Sequence, residues 1–432
     1  MPEPTRRRAS LDPAPSAEAV VDHLRPGTDV IVPLANGEPV GLLDAVEDAA
    51  ATLDAVKVHQ MHALHDRPYL HGRHGDRLRH VSYFLSPVTR PAFHEGGLDL
   101  VPAHFSEVPA VLRHRARHPL VLAAASPPDR HGYFSLGTNA DYVAPLIGHV
   151  PFFLEANARM PRTFGRNQVH ITQVVGWTQA DYELVEVPPA EPGEVDLAIA
   201  RHVAERIPDG ATIQAGIGSI PNAILRCLVD HEDLGVHTEL FSDGVIDLVL
   251  RGVVTGARKR RNPGKMVTTF ALGTRALYDF LHENPAVELL PVDEVNDPRA
   301  IAKEPGFVSV NATTEVDLLG QCASETIGGR YWSGSGGQAD FARGAMYSEG
   351  GMAFIVLRST TTDGTVSRIR AQLTPGSVVT TLKNTVDHVV TEWGVAELRG
   401  RTIRERATAL IAVAHPGFRD GLAADARRLG YL

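Results

Sequence analysis

At 432 residues the chain is too long for one ordinary domain, and two or three are expected. Apolar residues make up 43% and charged residues 22%, which excludes global disorder; 51 acidic against 42 basic residues leave a net charge of −9, which argues against a dedicated nucleic-acid binder. Cys227 and Cys322 alone exclude a disulfide scaffold and a cysteine-rich zinc site.

In chain order, residues 1–15 combine prolines with Arg6, Arg7 and Arg8 and are expected to form a mobile tail. This segment lacks the apolar core of a secretory signal, and no later run reaches the ~20 apolar residues that span a bilayer. The expectation is a soluble, cytoplasmic protein. Short Val/Ile-rich runs then alternate with amphipathic stretches, the pattern of α/β layers around a largely parallel sheet. In the first half Asp29–Pro33 and His118–Ala125 read as strands. The seam is Val185–Asp196, where three prolines and a glycine among acids forbid a helix or a central strand. The boundaries expected are an N-terminal α/β domain over 16–187, a linker at 188–195 and a C-terminal α/β domain over 196–432. In the second half Thr212–Gly216 and His237–Phe241 read as strands, followed by helices over Pro221–Leu228 and Gly244–Arg251. Met266 opens a further strand. Thr402–Ala414 has helical periodicity and is expected to stop at Pro416-Gly417.

The sharpest local feature is Gly216-Ile217-Gly218-Ser219-Ile220-Pro221-Asn222. Two glycines follow a strand, and Pro221 is expected at the first helical position. Glycine lets a backbone approach a ligand, and a helix start offers unpaired N–H groups to an anion. A dinucleotide fingerprint is broken here, because Asn222 stands where its third glycine belongs. Glu239 lies near the carboxyl end of the next strand, where open α/β sheets bind ligands. It reads either as a functional carboxylate or as an acid satisfied by nearby N–H groups or an arginine. A second dense stretch, Ser309–Arg343, holds Gly334, Gly336 and Gly337, a loop whose amides suit an oxyanion. Its acids include Glu315 and Asp317, at strand spacing on one face of a hairpin, and Glu325, the rival nucleophile.

These segments, with Val101–Glu107, Ser126–Gly137, Asn157–Thr163, Ser333–Ala345 and Val389–Gly400, resemble the acetyl-CoA hydrolase/transferase family. Within it the chain is most similar to the 4-hydroxybutyrate branch of the glutamate-dependent CoA-transferases. The resemblance covers nearly the whole chain after the tail. It implies two tandem related α/β domains of the CoA-transferase type, with the active site in the cleft between them, in a homodimer. It implies a ping-pong exchange of CoA between a short-chain acyl-CoA and small carboxylates of the acetate, butyrate or 4-hydroxybutyrate type. Glu239 would become the glutamyl-CoA thioester, with Gly337 at the oxyanion hole and Asn296 bonding the acyl or CoA carbonyl. Gly216, Ile217, Gly218, Ser219, Ile220, Asn222, Gly336 and Gly337 would contact CoA. No permanently bound cofactor, no metal, no nucleic acid and no membrane are implied; coenzyme A enters as substrate.

The chain departs from the family twice. Ser219 replaces a common glycine, and Ser359-Thr360-Thr361-Thr362-Asp363-Gly364 puts Thr362 where many relatives carry a lysine for the CoA phosphates. Arg358 is then the candidate substitute at that loop. The run Arg258–Arg261 with Lys265 reads as a phosphate contact or as a solvated face. His59, His62, His65, His71, His74 and His80 read as surface and loop residues, Cys227 as core, and Cys322 as lacking a histidine partner in sequence. Besides the transferase stand an acyl-CoA hydrolase using the same glutamate and a non-catalytic acyl-CoA-binding protein. Retention of Glu239 speaks against the second, since binding alone needs no carboxylate at the carbonyl position.

Overall fold

A computed structural model describes residues 12–216 and 218–432. The chain divides into two compact units. One takes residues up to Ala103, Glu107–Val187 and Thr269–Asp293; the other takes His104–Ser106, Pro188–Thr268 and Glu294–Leu432. The expected tail lies outside the described residues up to position 11, and within them Ala14 N–H already donates to the Trp177 carbonyl.

The first unit is built on a seven-stranded, all-parallel sheet. Its order is Val174–Ala180, Phe152–Asn157, Leu120–Ala125, Asp29–Ile31, Val56–Gln60, Leu78–Ser82, Asp99–Leu100. The central strand LVLAAA is buried at every position, as a strand covered on both faces requires. Val30, Leu42, Val58, Leu122 and Phe153 fill one side of its core.

The second unit repeats the winding. Its strands run Gly394–Glu397, His388–Thr391, Met352–Val356, Phe307–Ala312, Thr212–Ala215, Gly235–Phe241, Met266–Ala271, all parallel from His388–Thr391 to Gly235–Phe241. The first four strands in sequence of the first unit, and the first three of the second, are laid down in one direction. Later strands are then added on the other side of the first, which creates a topological switch point beside it. In the second unit this point lies between Thr212–Ala215 and Phe307–Ala312.

Several expectations are adjusted. Thr269–Asp293, assigned from sequence to the C-terminal half, packs with the first unit: Thr269 C=O accepts from Ala140 and Asp141 N–H, and Leu289 C=O from Arg166 N–H. The linker is shorter at its end, since a helix runs over Glu194–Ala204 with Gly193 N–H donating to Asp196. Pro416 does not merely stop a helix. It occupies the first turn of the next one, Pro416–Arg428, where a missing N–H costs nothing. Likewise Pro221 sits third in the helix Ser219–Cys227 rather than first. Glu315–Asp317 pairs antiparallel with Cys322–Ala323, as a hairpin should. His59 and His80 are buried strand residues, not surface ones; burial pushes the His80 imidazole down to about 3.

Candidate active site

The site is built in the second unit at the carboxyl edge of its parallel strands. Thr212–Ala215 and Gly235–Phe241 run side by side in the register Thr212↔Gly235 and Ile213↔Val236. Carried forward, that register sets Glu239 level with Gly216, and Thr238 Oγ1 donates to the Ala215 carbonyl at 3.2 Å to hold the two strand ends together. The glycine turn therefore opens at the switch point with Glu239 one strand away. Gly218 has φ +129°, a conformation that only glycine adopts without strain, and its carbonyl accepts from Asn222 N–H at the start of the helix.

Three residues far apart in sequence meet at the Glu239 carboxylate. Asn296 Nδ2 donates to Glu239 Oε2 at 2.7 Å. Gly337 comes so close that an added Cβ would stand 1.9 Å from the same oxygen and 2.3 Å from Asn296 Nδ2. Glycine is required here by contact, not by φ, and Asn296 Oδ1 is left buried without a partner. The Glu239 residue retains some solvent exposure, but its carboxyl group is packed round by protein. That desolvation pushes its pKa up to about 7; the Asn296 hydrogen bond pulls it back and the Asp340 charge pushes it further up. A glutamate poised near neutrality at the carboxyl edge of a parallel sheet, with a donor on one oxygen, is equipped for nucleophilic attack on a carbonyl.

Two supporting residues were not singled out from sequence. Asp340, in the first turn of the helix Gln338–Tyr347, accepts from Ser106 N–H at 3.1 Å and Ser106 Oγ at 2.9 Å. His237 precedes Glu239 by two positions on the same strand face, and Nε2–H donates to the Val295 carbonyl at 2.7 Å. It thereby fixes the turn that carries Asn296. Burial between Phe307 and Phe341 pushes its imidazole down to about 3, so it stays neutral. The i, i+2 spacing of His237 and Glu239 was the available signal; Ser106 lies in the Val101–Glu107 segment of the resemblance, which gave it no role of its own.

The remaining expectations divide. Ile217 lies outside the described residues. Gly216 has open space where a Cβ would point, and Ser219 begins the helix. Ile220 is buried within it. Asn222 faces away from a ligand role, its Nδ2 donating to the Ala190 carbonyl at 3.2 Å. Gly336, at φ +52°, gives its carbonyl to Phe105 N–H. Arg358 is already committed: its guanidinium makes a two-point contact with Asp196 at 2.9 and 2.8 Å. Burial opposes ionisation of Asp196, but bonds from Arg358, Gly193 N–H and the Ser219 side chain hold its pKa below the usual carboxylate range. Thr362 and Asp363 are exposed, and Asp363 closes its own turn by accepting from Thr365 N–H and Oγ1.

The basic run is neither a free phosphate contact nor a solvated face throughout. Lys259 is buried and donates to the Val236 and Lys265 carbonyls; Arg261 pairs with Glu294, and the N–H groups of Arg260 and Arg261 bind Glu304. Glu325 is buried and takes a bond from Ser335 Oγ. Cys227 is half-buried rather than core, and burial raises the Cys322 thiol far above its ordinary pKa. Arg162 anchors backbone, donating to the Pro127 and Tyr133 carbonyls. Among the described residues no group of three or more His, Cys, Asp or Glu could hold a metal ion, and no helix is long and apolar enough to cross a membrane.

With this geometry in place, comparison with known proteins is specific. Residues 14–187 match the acetyl-CoA hydrolase/transferase N-terminal domain and residues 273–426 the acetyl-CoA hydrolase/transferase C-terminal domain. Succinyl-CoA:cyclohexane-1-carboxylate CoA transferase of Geobacter metallireducens is 43% identical over 416 residues, 96% of this chain and 94% of that protein. The 4-hydroxybutyrate coenzyme A transferase of Clostridium kluyveri is 42% identical over 410 residues, 94% and 95% of the two chains. Among solved structures, RipA from Yersinia pestis superposes with a TM-score of 0.91 at 35% identity, and 4-hydroxybutyrate CoA-transferase from Porphyromonas gingivalis with 0.83 at 36%. Each superposition covers 96% of this chain and 97% of the other.

Proposed function

The chain belongs to the acetyl-CoA hydrolase/transferase family, and we propose that, as a CoA-transferase within it, it passes CoA from a short-chain acyl-CoA to a free carboxylate through a thioester on Glu239. The observation that carries this reading is the convergence of Asn296 and Gly337 on the Glu239 carboxylate at the edge of a parallel sheet.

The Glu239 carboxylate attacks the acyl carbonyl and the C–S bond breaks, giving an acyl-glutamyl anhydride and CoA thiolate. The thiolate attacks the glutamyl carbonyl; the anhydride C–O bond breaks, the first acid leaves and glutamyl-CoA remains. A second carboxylate runs the same steps in reverse and departs as the new acyl-CoA. Thioester energy is conserved throughout, so the exchange needs no ATP. Each step passes through a tetrahedral oxyanion, for which Asn296 Nδ2–H is the donor on the Glu239 carboxyl and the backbone N–H at Gly337 is the proposed second one. Acids of the acetate, butyrate or 4-hydroxybutyrate type are the substrates proposed, with a homodimer as the working form. The relative that acts on cyclohexane-1-carboxylate adds a cyclic acid to the set worth testing.

Borohydride reduces a thioester and leaves a carboxylate untouched. Incubation with acetyl-CoA and then borohydride should inactivate the enzyme and modify the peptide that spans Glu239, whereas borohydride alone should do neither. Modification at Glu325 instead would move the nucleophile to the second glycine loop. Consumption of acyl-CoA with no labelled glutamate, and no acceleration by added acetate, would make the chain a hydrolase by direct water attack.

A further inference from the structure

Trp393 follows the strand His388–Thr391 and keeps 45% of its surface exposed, although its indole is fixed in place. Nε1–H donates to Ser359 Oγ at 3.2 Å, and Ser359 in turn gives its N–H and hydroxyl to the Glu392 carboxylate. His415 meets the ring edge-on at 5.6 Å, and the Arg419 guanidinium lies over the ring, 5.7 Å from its centre. The indole is thus held in one orientation while nearly half of the residue stays open to solvent.

Its position on the sheet is informative. From Glu239 the strands at the carboxyl edge run in order to the glycine turn, Phe307–Ala312, Met352–Val356 with Arg358 and Ser359 just beyond it, and His388–Thr391 with Trp393. Four strand spacings separate the two ends, roughly 19 Å at ~4.8 Å each. That span is comparable with the reach of the pantetheine and pyrophosphate arm of CoA, which joins the reacting sulfur to an adenine. Intermediate points on the edge are tied to one another: Ser219 bonds Asp196, and Asp196 bonds Arg358.

We infer that Trp393 is the stacking platform for the adenine of CoA, with the Arg419 guanidinium over the ring supplying positive charge toward the nucleotide phosphates. This subsite rests on the CoA-transfer reading of Glu239, but it can fail separately. Stacking on an aromatic ring favours a base largely irrespective of its hydrogen-bonding edge, and its loss weakens binding by roughly 10-fold.

The test compares acetyl-CoA with acetyl-pantetheine, which carries the same thioester and no nucleotide. Trp393→Ala should raise KM for acetyl-CoA ~10-fold and leave kcat and all constants for acetyl-pantetheine unchanged, while Trp393→Phe keeps most of the affinity. An unchanged KM for acetyl-CoA, an equal loss on both thioesters, or a Phe variant as impaired as the Ala variant would each overturn the assignment. Calorimetric titration with adenosine 3′-phosphate 5′-diphosphate needs no turnover. Binding that Trp393→Ala abolishes supports the platform even if no acyl transfer is found, and binding that survives Trp393→Ala refutes it even if transfer is intact.

Discussion

Replacing Gly337 by alanine perturbs the site by one methyl group and nothing else. The backbone there, φ −98° and ψ 3°, is open to alanine without strain, so contact alone sets the effect. The new Cβ would lie 1.9 Å from Glu239 Oε2, whereas ordinary van der Waals contact begins near 3.4 Å. The carboxylate must retreat by about 1.5 Å, and Asn296 Nδ2, at 2.3 Å from the same methyl, must also give way. The 2.7 Å bond between them cannot survive both movements. Misplacement of ~1 Å at a reacting group costs ~100-fold, so kcat for CoA exchange should fall by ~100-fold or more. Crowding of this kind costs about 1–3 kcal/mol of stability, which lowers the melting temperature by a few degrees and leaves the chain folded. The measurement is steady-state exchange between acetyl-CoA and a second carboxylate, read beside a thermal melt and borohydride trapping of the thioester. A folded Gly337→Ala enzyme whose kcat stays within ~3-fold of the parent would refute the placement of Glu239 against Gly337.

The ionisation of Glu239 gives a second expectation: kcat/KM should rise with pH through about 7, because only the carboxylate attacks. Asp340→Asn removes the like charge and should move that limb to lower pH, which a pH–rate profile reads directly. The folded-state pKa lies above the ordinary 4.5, so Glu239 contributes its stability below that value and loses it as pH rises through 7. Glu239→Gln should therefore melt higher than the parent at pH 8, with the gain vanishing toward pH 4.5; a constant difference in melting temperature would contradict the shift. At the exposed Thr362, Thr362→Lys should lower KM for acyl-CoA at low ionic strength, and added salt should erode the gain. No change at low salt would place the phosphates away from that loop.

The sequence by itself determined the α/β class, several strand positions and the identity of the glycine turn, because these rest on local chemistry. Alternating apolar runs demand a buried sheet, and Gly218 is legible as glycine because its φ of +129° excludes other residues. Glu239 was readable as a carboxylate at a strand end, and resemblance attached Asn296 and Gly337 to it. What sequence could not decide was which polar groups were already spent. Arg358 is one residue among several basic ones until Asp196, 162 positions away, claims its guanidinium; Asn222 belongs to the glycine motif until its amide is seen on Ala190. The buried Lys259 looked like surface charge because sequence carries no record of the Val236 and Lys265 carbonyls that neutralise the cost of burying it. The pKa of Glu239 belongs to the same class. Desolvation and the opposing effects of Asn296 and Asp340 depend on packing between residues 57 and 101 positions apart from it, and such distances are set only when the strands assemble.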